Sequence, residues 1–261
     1  MGSHPSDGPS VKNQRAKHHI YELDAEIQAF LQSDPYRIFS EEETDSGDKI
    51  WRVNVRQQPP SRWSAIIGDA IHNLRSALDL LVYQLVLANN ASPTDATSFP
   101  VFKSVAHFEA GGLGKVKGVS ATAERMIREL KPYQGGNEAL WRLHRLDIAD
   151  KHHLLLATGA AYASVIVDFS GHLKLKSGRR VPPMPIALKP EDRQCPLEDG
   201  ATVFKVMKAV RDPEHDIDPQ MVFEIALNEP GLVEGEAVLP TLNDLTNTVQ
   251  QIVAAFEPLL P

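Results

Sequence analysis

The chain carries one cysteine, Cys195, in 261 residues, which excludes an internal disulfide and fits a reducing compartment. It has no run of 18 apolar residues and no leader-like apolar segment, so a cytoplasmic location is expected and neither export nor a membrane span is. Positive charge is short too: 27 Lys and Arg stand against 34 Asp and Glu, a formal charge of −7. Nonspecific nucleic-acid binding rests on an excess of cations over phosphates. That class is therefore excluded for the surface as a whole, though not for a local basic face. Three familiar ligand patterns are also incomplete. Gly111-Gly-Leu-Gly-Lys115 has Glu109 where a phosphate loop opens on glycine, and Val116 where Ser or Thr meets magnesium. Asp212, Glu214, Asp216 and Asp218 alternate as calcium ligands do, but the central glycine is absent and Phe223 replaces the bidentate Glu. A hairpin tip is expected there instead. Cys195 lies among prolines without a partner motif and reads as an incidental thiol.

What is present is enough apolar sequence, 42%, for one large domain or two small ones. Met1 to Ser10 is rich in Gly, Ser and Pro, and residues 1–12 are expected to be a disordered tail. Ile20, Leu23, Ile27, Phe30 and Leu31 predict a helix from Asn13 to Gln32, stopped by Ser33-Asp34-Pro35. Trp51, Val53 and Val55 alternate with polar residues, which predicts a hairpin over 36–56 across the acidic turn Glu41 to Asp48. Ser61 is placed to cap a helix running to about Asn89, and Asn137 one running to about Ala157. Ala91 to Gly118 reads as loop, with a short helix from Ser120 to Leu130 before Pro132. Strands are expected at Ser164–Phe169 and Leu173–Lys176, a proline-rich loop at Pro182–Pro196, and a hairpin from Ala201–Lys208 and Met221–Leu227. Thr241 with Asp244 resembles a capping box for a last helix, striped by Leu242, Leu245, Val249, Ile252, Val253 and Phe256. The expectation is an α+β fold. A helical core over 13–160 would be followed by a β-rich insertion, 161–230, and a C-terminal helix, 240–258, returning to the bundle.

Two of these helices, Gly68 to Asp79 and Leu143 to His153, carry Asp, His, Asn and Arg where a solvated helix would carry Lys and Glu. The candidate binding residues are Asp69, His72, Asn73, Arg75, Asp79, His144, Asp150 and Lys151. Asp69/His72 and Asp150/His153 are each spaced i, i+3, so each pair can point one way. Facing each other with Glu22 or Glu26, the four would suit a carboxylate–histidine centre for iron, manganese or zinc. The alternative is a satisfied polar layer needing no cofactor. Arg145 and His152 lie seven residues apart, two helical turns, and so share a face. An Arg and a His suffice to cleave RNA through its own 2′-hydroxyl: the imidazole moves protons and the guanidinium steadies the phosphate. The alternative for this pair is a plain cationic helix C-terminus.

Gly68-Asp-Ala-Ile-His-Asn-Leu-Arg-Ser-Ala-Leu-Asp79, Phe99-Pro-Val-Phe102, Leu130-Lys-Pro-Tyr133 and Asp150-Lys-His152 occur in this order. Together they resemble a widespread family of uncharacterised bacterial proteins, from about Arg15 to the last helix. More distantly, the Asn-Leu-Arg…Asp helix is similar to the signature helix of HEPN domains. These are helical bundles, often dimeric, many of them metal-independent RNases with Arg-x4-6-His. The resemblance implies an RNA-directed bacterial protein in defence or stress response, acting as a homodimer. In such relatives a His often follows the Leu-Asp; here Leu80 stands there, and Arg145 with His152 meets the spacing on another helix. Beside this reading stand a di-metal enzyme and an interaction protein without chemistry.

Overall fold

The structure is a computed structural model describing residues 7–155, 157–162, 165–168, 185–188, 195–208 and 222–260. The first helix, α1 (Asp7–Gln32), starts six residues before the expected Asn13. Residues 7–12 are therefore helix, not tail: Pro9 sits in the first turn, where a missing N–H leaves nothing unsatisfied. Two antiparallel strands follow, β1 (Tyr36–Glu42) and β2 (Lys49–Val55), in register from Tyr36↔Val55 to Glu42↔Lys49. This is the expected hairpin, with Trp51 and Val53 turned inward.

Helix α2 (Arg62–Ala88) follows Ser61, which makes no side-chain capping bond. α2 runs antiparallel to α1: Glu26 meets Arg62 and Trp63 at one end, and Lys12 meets Asn73 farther along. The stretch expected as loop contains α3 (Val105–Lys115), capped by Ser104. Its three glycines weaken the helical pattern, but Gly112 is buried where Phe108 packs. Next come α4 (Ala121–Glu129), capped by Ser120, and α5 (Glu138–Asp150), capped by Asn137. α5 ends seven residues before the expected Ala157, because the chain turns there into β3 (Ala157–Tyr162).

In the β-rich part, β4 (Val165–Asp168) pairs with β5 (Pro185–Leu188), so part of the expected proline-rich loop is strand. Pro185 opens that strand, a position that tolerates a missing ladder donor. The strands β6 (Thr202–Val206) and β7 (Val222–Glu229) do not form the expected hairpin. β6 joins the open edge of β2, while β7 lies between β3 and β8 (Val233–Ala237). The expected strand at 173–176 and the acidic tip at 212–218 lie outside the described residues. The last helix, α6 (Val238–Phe256), starts three residues before Thr241, whose hydroxyl donates to Ala237 O within the first turn. Its expected stripe of six apolar residues is buried as read.

The fold is α+β. α1, α2, α5 and α6 share one apolar core, centred on Ile67, Ile71, Leu74, Leu78 and Leu81 of α2, all solvent-free. A smaller cluster of Tyr36, Trp51, Val53, Leu197 and Val203 lies under the β1–β2–β6 sheet. Among the described residues, no helix is long and apolar enough to cross a membrane.

Candidate functional site

The seam between α2 and α5 gathers most of the polar residues singled out in the sequence. It is close because Gly68 has no side chain: a Cβ there would collide with the carboxyl group of Asp150. Burial, with Asp147 and Asp69 nearby, raises the Asp150 carboxyl above its ordinary pKa. One turn along, Asp147 is 3% exposed and both its oxygens are engaged. Oδ1 meets His72 Nδ1 at 3.1 Å, and Oδ2 accepts from Lys151 Nζ at 2.6 Å. The imidazole of His72 stays half-exposed, with Nε2 3.4 Å from Ser76 Oγ. Asn73 is held locally, accepting from Lys12 at 3.2 Å and donating to Asp69 O at 2.7 Å.

Two turns deeper, Arg75 is buried rather than on the flank of α2. Its Nη2 donates to Asp79 Oδ1 at 2.8 Å and to Phe99 O at 2.6 Å. Asp79 Oδ1 in turn accepts from Phe99 N at 2.8 Å. Arg75 and Asp79 therefore pin the Phe99-Pro-Val-Phe102 segment to the bundle. Burial pushes Asp79 up and Arg75 down, against their mutual attraction. The guanidinium nevertheless keeps its charge at neutral pH. The role of this signature-like pair is structural.

His144 packs close to the same group. Burial lowers its pKa from 6.5 to about 4, and Arg75 pushes in the same direction. A depressed folded-state pKa gives stability that is present above 6.5 and lost as pH falls toward about 4, because the unfolded chain takes up the proton first. Full conversion would be about 3 kcal/mol at 1.36 kcal/mol per pKa unit. The ring is only partly buried, so solvent screening reduces this to about 1–2 kcal/mol. Urea unfolding at pH 7.5 and 4.5 should show wild type losing that much more stability than His144→Gln.

The four residues expected as metal ligands do not converge. His72 turns to Asp147, Asp150 packs on Gly68, and His153 Nε2 meets Glu229 Oε2 at 3.1 Å. Asp69 is exposed. Glu26 is taken by Arg62 and Trp63, and Glu22 lies 3.9 Å from His19. Among the described residues, no group of three or more His, Cys, Asp or Glu could hold a metal ion. The reason is directional: His72, Asp150 and His153 each meet a different element, while Asp69 faces solvent.

Arg145 and His152 lie away from this seam. At 3.6 residues per turn they point nearly opposite to Asp147, and Trp141 falls within about 40° of both. α5 itself stops at Asp150, so the two do not share one regular helix as expected. The backbone continues the turn past that end: Lys151 keeps helical angles, φ −69° and ψ −17°, and the N–H groups of His152 and His153 both donate to Ala149 O. Arg145 and His152 are exposed, and the guanidinium sits 5.7 Å from the centre of the half-buried Trp141 ring.

Asp147, Trp141 and Glu229 had no signal as site residues in the sequence, because each gains its role from a partner brought in by folding. A groove of about 550 Å³ opens near the starts of α5 and α6, where Arg142 pairs with Glu236 beside Glu138, Glu224 and Asp244. Its acidic lining does not suit a phosphate, and it includes none of the residues expected as a site. Comparisons with protein-family models, with curated proteins and with solved structures find no match for the chain.

Proposed function

We propose that this chain is a HEPN-like, RNA-directed protein that uses the outer face of α5 to bind and cleave single-stranded RNA without a metal. The observation that carries the reading is the exposed guanidinium of Arg145 over the half-buried ring of Trp141, with the exposed His152 two turns farther along the same side. A base can stack on the indole, the guanidinium can hold the adjacent phosphate, and the imidazole can take the 2′-hydroxyl proton. The family resemblance adds the setting: a bacterial cytoplasm, a homodimer, a part in defence or stress response.

Binding tests this directly. With a fluorescent single-stranded RNA in EDTA, Trp141→Ala should weaken affinity by about 5- to 150-fold, the worth of one stacked base. Arg145→Ala should weaken it and flatten its salt dependence, since one phosphate contact is lost. Affinity unchanged in both variants would leave this face without a role and favour a protein-binding module.

A further inference from the structure

The α2–α5 seam holds a second arrangement, on the opposite side of α5 from the RNA face and independent of it. Asp147, a carboxylate, can only accept, so neutral His72 carries its proton on Nδ1 and directs the Nε2 lone pair at Ser76 Oγ. The closeness of His72 and Ser76 follows from their i, i+4 spacing on one helix. The orienting group does not: it comes from a neighbouring helix, its side chain is 4% exposed, and Lys151 fixes its second oxygen.

We propose that Ser76, His72 and Asp147 are the nucleophile, general base and orienting acid of an acyl-transfer centre. Ser76 is half-buried beside the half-exposed His72, so the acyl donor meets Ser76 at the surface. The fitting substrate class is a small activated ester or thioester. Ser76 Oγ bonds to the carbonyl carbon as its proton passes to His72 Nε2, and the carbonyl electron pair moves onto oxygen. Collapse expels the alkoxide or thiolate, which takes that proton from Nε2. Water then attacks the acyl-serine, giving its proton to Nε2, and Ser76 Oγ leaves and recovers it; the cycle is redox-neutral. The Oγ–Nε2 separation of 3.4 Å is long but within what substrate-free serine sites show.

The test is covalent labelling of the full chain by a fluorophosphonate, whose phosphorus is attacked by an activated serine with loss of fluoride. Peptide mass spectrometry should find one adduct, on Ser76. Ser76→Ala should abolish it, and the near-isosteric Asp147→Asn should slow it at least about tenfold. His72→Gln should do the same, and it decides the matter if Asp147→Asn does not fold, because His72 is half-exposed. Ser61→Ala, an exposed serine with no capping bond, should label like wild type. p-Nitrophenyl acetate should be turned over by the same proteins that label. No adduct on Ser76 in folded wild type, label spread over exposed serines, or an unchanged rate in His72→Gln would overturn the proposal.

Discussion

Replacing Arg75 with leucine should lower the stability of the protein by about 3 kcal/mol, the largest loss expected from any single side chain in the polar seam. The substitution keeps an apolar stem but removes a guanidinium that is 7% exposed and holds two partners. Phe99 O would lose its donor inside the bundle, and Asp79 would lose the cation bonded to it. Removing one member of a buried ion pair costs about 3–5 kcal/mol. The Asp79 side chain is about one-third exposed and can recover some hydration, which sets the expected value at the low end. Arg75→Lys should recover only part of the loss, since an ammonium group lacks the planar fork that spans both acceptors. Arg75→Leu with Asp79→Leu should be less destabilising than the sum of the two single changes. Urea melts of wild type and the four variants measure this. A loss below about 0.5 kcal/mol for Arg75→Leu would place the pair among the weak surface bridges.

That result bears on how much of the molecule its sequence made legible. The apolar stripes of α2 and α6 predicted their buried faces because a helix repeats every 3.6 residues. The hairpin of β1 and β2 was legible in the alternation around Trp51. Helix α3 was not, because three glycines in eleven residues mask a helix that Ser104 and Phe108 nevertheless anchor. Strand pairing was not legible either. Periodicity shows that 202–206 and 222–229 are extended, but the open edge of β2 decides where β6 docks. The site followed the same division. The scarcity of Lys and Glu marked α2 and α5 as meeting across a polar seam, and Asp150 on Gly68 with His72 on Asp147 shows them meeting there. Spacing alone could not rank partners: it paired Asp69 with His72 and Asp150 with His153, whereas folding gave each histidine a buried carboxylate from another element. Arg75 looked like a ligand-binding cation and is a structural clamp.

The second large effect concerns His152. If the outer face of α5 cleaves RNA, His152→Ala should slow cleavage by on the order of a hundredfold or more, the usual worth of a general acid or base. His153 and Lys151 are turned toward Glu229 and Asp147, so their removal should change the rate much less. Chelators should have no effect, because the imidazole and the guanidinium supply the proton transfer and the charge stabilisation. The products should carry 2′,3′-cyclic phosphate ends, since the nucleophile is the neighbouring 2′-hydroxyl.

The decisive measurement is a time course of mixed single-stranded RNA with wild type and His152→Ala, in EDTA, both proteins shown by thermal melting to be folded. The account predicts cleavage by wild type to cyclic-phosphate ends and a rate at least about a hundredfold lower in the variant. Equal cleavage by the two proteins, or none by wild type, would contradict it.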